Sequence, residues 1–217
     1  MARLLRPLSG FAAALLLVAV AAGCAASREA PTIAPEVARG KAWYTTCAGC
    51  HGNAGEGFRG MNAPRLAGQS PDYLTRQLVH FRSGVRGGAA DFYGVAMNGR
   101  AKALPDEQAV HDVVAYIATL PAPPLAPAGE GDATSGRALF ESCAACHGAR
   151  GEGNPTLQAP AIGGLDSWYV ARQLANFRKG IRGREGDAEG EQMRAAAALL
   201  PDEAADRDVA AYVATLR

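Results

Sequence analysis

Two short stretches decide the fold of this protein: Cys47-Ala48-Gly49-Cys50-His51 and Cys143-Ala144-Ala145-Cys146-His147, both of the form C-x-x-C-H. They lie 96 residues apart, and aligning the chain to itself at that offset brings 40–120 onto 136–216 without a gap. Identical residues occupy 38 of these 81 positions, far more than composition predicts. The chain therefore contains an internal duplication, and two copies indicate two domains rather than a solenoid.

The chemistry of the repeated motif points to a porphyrin. Two thiols one helical turn apart can add to the two vinyl groups on one edge of the ring, and the adjacent histidine can then bind its iron. We therefore predict two covalently attached haem c groups. Their covalent anchors are Cys47 and Cys50 in the first copy and Cys143 and Cys146 in the second, with His51 and His147 as iron ligands.

Three other readings of the motif compete with haem attachment. A thioredoxin-like dithiol requires an α/β pattern, which the sequence lacks. A zinc site built from both cysteine pairs would need ligands separated by about 90 residues, longer than the usual spacing. Disulfides within the pairs would not explain why a histidine follows each one.

The repeat also indicates a second axial ligand for each iron. Met97 and Met193 are the two methionines at equivalent positions, each 46 residues after its histidine, and we predict that they bind the irons. Other candidate ligands lack a counterpart of the same type. Met61 is interpreted as a packing residue, and His80 and His111 as solvated or locally bonded helix residues.

Hydrophobic periodicity predicts an all-α fold with long loops. In the first copy, helices are expected over Pro35–Thr46, Pro71–Ser83 and Asp106–Leu120, and the second copy repeats the scheme. The glycine-rich segments Gly52–Gly68 and Gly84–Gly99 are expected to be loops. Units this small have little core of their own unless a cofactor fills it.

Composition excludes several classes of protein. The 217 residues are 48% hydrophobic and 20% charged with a formal net charge of +1, which argues against a disordered chain. The near-neutral balance gives no electrostatic reason to expect nucleic acid. Aromatic residues make up only 6%, which is lean for two small cores.

The N-terminus has the layout of a secretory signal. Arg3 and Arg6 precede twelve apolar residues, 11–22, and small residues then lead to Cys24. Twelve residues are too few to cross a bilayer as a helix. The pattern predicts a lipoprotein signal with lipidated Cys24 and a periplasmic, membrane-anchored protein. Cleavage after Ala26, giving a soluble protein, is the alternative.

These observations divide the chain into five segments. We expect a signal peptide at 1–23, a tether at 24–35, a first domain at 36–120, a linker at 121–131 and a second domain at 132–217. The proline-rich linker favours extended geometry and should restrict the relative orientation of the domains.

Further repeated residues resemble a known family. They are Pro64-Arg65-Leu66-Ala67-Gly68-Gln69, Tyr73, Gln77-Leu78 and Phe81-Arg82-Ser83-Gly84-Val85-Arg86, with Tyr169, Gln173-Leu174 and Phe177-Arg178-Lys179-Gly180-Ile181-Arg182 in the second copy. Each copy resembles a class I cytochrome c, and the pair resembles the di-haem cytochrome c4 family of bacterial periplasmic electron carriers. The resemblance implies two tandem cytochrome c domains, each a few short helices around one haem.

The resemblance also implies roles for individual residues. The first helix of each copy should cross the last, with Gly40 and Tyr44 near Tyr116. The carbonyls of Pro64 and Pro160 should accept a hydrogen bond from the haem histidines. Arginines should bind propionates that face the domain interface. We select Arg82 and Arg178 from a set that also includes Arg76, Arg86, Arg172 and Arg182.

The expected function is outer-sphere electron transfer rather than catalysis. Donors would be a quinol-oxidising complex or dehydrogenase, and acceptors a terminal oxidase or reductase. A peroxidase-like di-haem enzyme and a fixed electron-transfer subunit of a membrane oxidoreductase remain alternatives. Residues 28–121 carry ten basic and eight acidic side chains, and residues 130–217 ten basic and thirteen acidic, which suggests different docking partners or only drift on solvent loops.

Overall fold

The computed structural model describes residues 35–125 and 129–216, which belong to one compact unit spanning 33–217. The predicted signal peptide, the lipidated Cys24 and most of the tether lie outside the described residues, as do positions 126–128 of the linker.

Over the described ranges the fold consists of eight α-helices without a β-strand, so the all-α prediction is confirmed. The first copy contains α1 (Val37–His51), α2 (Pro71–Ser83), α3 (Phe92–Lys102) and α4 (Glu107–Ala118). The second contains α5 (Ala133–His147), α6 (Ser167–Arg178), α7 (Ala188–Ala197) and α8 (Glu203–Thr215). Single 3-10 turns at Arg59–Met61 and Pro155–Leu157 lie in the loops after α1 and α5.

The first and last helices of each copy cross at a glycine. A Cβ added to Gly40 would lie 1.9 Å from the carbonyl oxygen of Asp112, so only glycine permits this approach of α1 to α4. One turn further along, the rings of Tyr44 and Tyr116 lie 5.2 Å apart. Gly136 repeats the contact of 1.9 Å in the second copy. The expected crossing is confirmed, and it sets the position of the motif at the end of each first helix.

Two helices differ from the prediction. The first was expected to end at Thr46 but continues to His51, where Gly52 with φ of 83° stops it. Helix α3 was expected to be a glycine-rich loop. It forms because Asp91 caps its first turn by accepting a bond from the amide of Gly94, and a Cβ on Gly94 would lie 2.9 Å from the Cα of Gly87. Its apolar periodicity is weak because few of its residues are buried, which is why the pattern did not reveal it.

Hydrogen bonds related by the repeat join the two copies. Arg172 donates to the side-chain and main-chain oxygens of Asn62 at 3.0 and 3.1 Å. Arg76 makes the matching contacts with Gln158 at 2.9 and 2.8 Å. These hydrogen bonds therefore hold the two copies in their relative orientation directly, in addition to the stiffness of the proline-rich linker.

Candidate functional site

The four cysteines of the motifs are free thiols on the last turns of α1 and α5. Spacing of three residues places the members of each pair on one face of a helix. Burial raises the pKa of the Cys47 and Cys143 thiols. The all-helical surroundings of both pairs remove support for the thioredoxin-like alternative.

The histidine of each motif is buried and oriented by one carbonyl. Nδ1 of His51 lies 2.7 Å from the oxygen of Pro64, and Nδ1 of His147 lies 2.9 Å from that of Pro160. Since a carbonyl only accepts, Nδ1 carries the proton and Nε2 keeps a free lone pair. Burial lowers the pKa of both imidazoles, although the proline bond opposes this. Each ring is thus held neutral, in the tautomer that can bind a metal.

A glycine that the sequence reasoning missed brings the proline within reach. Gly57 has φ of 83°, and a Cβ there would lie 2.8 Å from the carbonyl carbon of Pro64. Gly153 packs in the same way at 2.9 Å from that of Pro160. The repeated His-Gly-x-x-Gly-Glu-Gly stretches at 51–57 and 147–153 were the available signal.

The methionines lie on helices rather than in loops, which corrects the expectation for this part of the chain. Met97 is on α3 and Met193 on α7, and both are half-buried. They line a cavity of about 480 Å³ that also contacts His51, His147 and residues of both copies. Met61, interpreted as a packing residue, is 53% exposed at the rim of this cavity. Of the unmatched histidines, His80 faces the second copy, with Nδ1 3.7 Å from Asp187.

Arg82 and Arg178, selected as propionate partners, bind protein groups elsewhere. Arg82 donates to the carbonyls of Ala101 and Leu104 at the end of α3. Arg178 pairs with Asp206 at 2.5 Å. Each guanidinium therefore stabilises packing within its own domain, and neither lines the cavity that His51 and His147 contact.

Two other members of that set, Arg86 and Arg182, meet at the domain interface. Arg86 donates to Gln77 at 2.6 Å and to Gln173 across the interface at 3.1 Å. Arg182 donates to Gln173 at 2.8 Å and to Gln77 at 3.1 Å. Both arginines are buried, at 8% and 5% exposure. The result is a closed square of two glutamines and two cations, lining the cavity.

This square carries positive charge without full compensation. The Nε atoms of Arg86 and Arg182 are buried and lack a hydrogen-bond partner. Burial would raise the pKa of the Tyr73 hydroxyl, yet it is lowered because the charges of Arg182 and Arg86 outweigh that effect. Unpartnered guanidinium donors in a buried cavity suit carboxylates. Free paired thiols, neutral histidines and these donors together fit a haem with its propionates.

A zinc centre fits less well. Within residues 35–125 and 129–216, no three histidine, cysteine or acidic side chains converge as a metal ion would require. The two cysteine pairs therefore do not form one site.

None of the helices in the described part of the chain is long and apolar enough to cross a membrane.

Comparison with known proteins gives a consistent result. The sequence model of the family described as cytochrome c matches residues 37–121 and again 133–217. The chain is 34% identical to cytochrome c4 of Azotobacter vinelandii, over 82% of this chain and 86% of that protein. It is 35% identical to a thiosulfate dehydrogenase electron acceptor of Stutzerimonas stutzeri, over 63% of this chain and 64% of that protein.

A solved structure agrees with the architecture. The crystal structure of reduced recombinant cytochrome c4 from Pseudomonas stutzeri superposes with a TM-score of 0.70 at 30% identity, covering 85% of this chain and all of that one.

Proposed function

Because the chain belongs to the cytochrome c4 family of di-haem electron-transfer cytochromes, we propose that it carries electrons in a bacterial periplasmic respiratory chain. The donor is a quinol-oxidising complex or dehydrogenase, and the acceptor a terminal oxidase or reductase. One observation carries the proposal above the others: two buried histidines, each fixed by a proline carbonyl, line the same cavity as two methionines.

We assign the residues that hold the two haem c groups. Cys47 and Cys50 anchor one group, and Cys143 and Cys146 anchor the other. His51 and Met97 would bind the iron in the first domain, and His147 and Met193 in the second. The carbonyls of Pro64 and Pro160 orient the histidines.

The assigned ligands explain why the protein transfers electrons instead of binding a substrate. Haem iron supplies a one-electron couple, and thioether ligation favours its ferrous form. With the haem bound, the histidine and methionine of each domain would both bind its iron and leave it no site for a substrate. The fixed Nδ1 proton keeps each imidazole neutral through the redox cycle, so proton uptake by the ligand is avoided. Arg86 and Arg182, whose Nε atoms lack a partner, would hold the propionates at the interface between the domains.

A spectroscopic redox titration of the holoprotein tests this function. We expect two one-electron steps and, in the oxidised protein, absorption near 695 nm from both haems, a band we associate with Met-ligated ferric haem. Rapid binding of cyanide or peroxide to either haem would instead indicate a peroxidase-like enzyme.

A specific observation favours a second arrangement of the same chemistry. One relative is named as the electron acceptor of a thiosulfate dehydrogenase, so this chain could serve as a fixed subunit that receives electrons from a dehydrogenase. Stable co-purification with such an enzyme at native expression levels would distinguish this arrangement from a mobile carrier.

We also propose that the mature chain begins at a lipidated Cys24 and is held at the periplasmic face of a membrane. More than one acyl chain holds a protein stably in a bilayer. Mass spectrometry of the mature N-terminus tests this, because cleavage after Ala26 would give an unmodified chain three residues shorter. The Cys24→Ser variant is the matched control.

A further inference from the structure

The outer face of α3 differs between the two copies although the helix itself is repeated. At 3.6 residues per turn, Phe92, Val95, Gly99 and Ala103 lie within an arc of about 80°. All four are exposed, with Phe92 at 80% and Val95 at 47%. We call these four residues the α3 stripe.

The α3 stripe lies on the outer surface of the protein and does not line the cofactor cavity. Other residues of α3, including Tyr93, Met97 and Arg100, line the cavity, whereas Phe92 and Val95 do not. The ring of Phe92 packs edge-on against Tyr93 at 5.2 Å. Tyr93 in turn contacts Arg172 of the second domain, 4.5 Å from its ring centre. The stripe is therefore continuous with the domain interface.

Two cations flank the stripe in the first domain, whereas the last turn of α7 carries one, Arg194. Arg100 and Lys102 lie on its two sides in the last turn of α3, and both are exposed. At the equivalent positions α7 has Ala196 and Ala198.

The acidic residues show the opposite distribution. Where α3 has Val95, α7 has the exposed Glu191. Glu189, the counterpart of Tyr93, lines the cavity and lies 3.8 Å from Arg76. Apolar area with two rim cations therefore occurs on one domain, and the matching face of the other domain has a glutamate in place of Val95 and a single cation.

We propose that the α3 stripe is the docking surface of the first domain for a redox protein whose electron-transfer site combines an apolar patch with surrounding carboxylates. Charge complementarity brings such a partner to Arg100 and Lys102, and the exposed Glu191 disfavours its binding to the second domain. A helix is about 10 Å thick, so a partner on the stripe lies one helix away from the cavity that Met97 lines. This inference rests on the proposed electron-transfer function and adds which domain meets an acidic partner.

A protein partner fits the stripe better than a lipid surface. Helix α3 has three turns and only two large apolar side chains on this face, which is little area for holding a bilayer. A small apolar centre inside a charged rim is the usual anatomy of a transient protein interface.

The test measures electron transfer from the reduced holoprotein to plastocyanin, a blue-copper protein with carboxylates beside its electron-transfer site. The double variant Val95→Glu/Lys102→Ala inserts the residues that the second copy carries, so the fold tolerates them. We expect it to lower the bimolecular rate constant at low ionic strength by about tenfold or more. Lys41→Glu, on the exposed side of α1, changes net charge by the same two units and should lower the rate less than about twofold.

Phe92→Ala keeps every charge and should lower the rate while leaving its salt dependence unchanged. Equal effects of Val95→Glu/Lys102→Ala and Lys41→Glu, or a wild-type rate that does not fall with salt, would overturn the proposal. The proposal would also be overturned if the wild-type protein bound phosphatidylglycerol vesicles, or associated with itself in a concentration-dependent way, and the double variant did not. Failure of the holoprotein to exchange electrons with ascorbate and ferricyanide would count against the proposed function instead.

Discussion

Nη2 of Arg86 in the first domain donates a 3.1 Å hydrogen bond to Oε1 of Gln173 in the second. The bond is repeated in reverse by Arg182 and Gln77. The side-chain amide of each glutamine therefore binds two buried arginines, one from its own domain and one from the other. The cofactor cavity and the domain interface thus share their polar residues, and a change in one is expected to affect the other.

Arg86→Gln is expected to lower a haem reduction potential on the order of 50 mV, because a nearby cation disfavours the more positive oxidised state. It should also weaken the domain interface. Arg82→Gln removes the same charge from a side chain bound to the carbonyls of Ala101 and Leu104. That control should lower the melting temperature but leave both potentials nearly unchanged, as measured by redox titration. A larger potential shift for Arg82→Gln than for Arg86→Gln would restore the first selection of propionate partners.

Met97→Ala is expected to remove about half of the 695 nm absorbance of the oxidised holoprotein, because one of two Met-ligated haems is altered. It should also lower the potential of the first haem and allow cyanide to bind there. Met61→Ala is the matched control, since Met61 lies at the rim of the same cavity but has leucine as its counterpart. Loss of the band in Met61→Ala with retention in Met97→Ala would exchange the two assignments.

Gly40→Ala is expected to destabilise the holoprotein by roughly 2–4 kcal/mol, because the new Cβ would lie 1.9 Å from the Asp112 carbonyl oxygen and force α1 and α4 apart. Gly49→Ala is the control, with no atom within 4 Å of its Cβ. It converts the first motif to the sequence of the second and should be neutral or stabilising by up to about 1 kcal/mol. Thermal denaturation of both variants would measure the difference, and equal melting temperatures would contradict the crossing.

Acid stability should depend on Asp112. Its carboxylate accepts bonds from Arg39 at 2.7 Å, the Glu36 amide at 2.6 Å and Gln108 at 2.8 Å. The hydrogen bond from Arg39 above all lowers the pKa of Asp112 to about 2. A lowered pKa means that the carboxylate stabilises the fold above about pH 4 and loses this effect as the pH falls toward 2.

Asp112→Asn should therefore cost roughly 1–3 kcal/mol at pH 7, and the difference from wild type should shrink between pH 4 and pH 2. Asp208→Asn is the matched control, because Asp208 accepts from the Asp132 amide and the second copy has Ser135 where the first has Arg39. Its smaller cost should be measured by thermal denaturation across the same pH range. A larger effect at Asp208 would contradict the role given to Arg39.

The sequence by itself determined the two-domain organisation, the all-α class and the haem chemistry. Cys47, Cys50 and His51 are local in sequence, and their spacing on a helix is fixed by backbone geometry, so a motif can reveal them. The duplication strengthened that reading and identified Met97 and Met193 as a pair. The bounds of helix α2 were predicted correctly from its helical periodicity. That periodicity is clear because one face of the helix, with Leu74, Gln77 and Phe81, is buried.

Only the tertiary structure decided which polar groups line the cavity. Arg82 and Arg86 are four residues apart, and no pattern separates the guanidinium that turns to the Leu104 carbonyl from the one that turns to Gln173. Helix α3 was likewise hidden, since its stability comes from the Asp91 cap and the close approach of Gly94 to Gly87 rather than from a buried apolar face. Side-chain direction and domain contact depend on residues distant in sequence, and their energies are set by burial that only the folded chain creates.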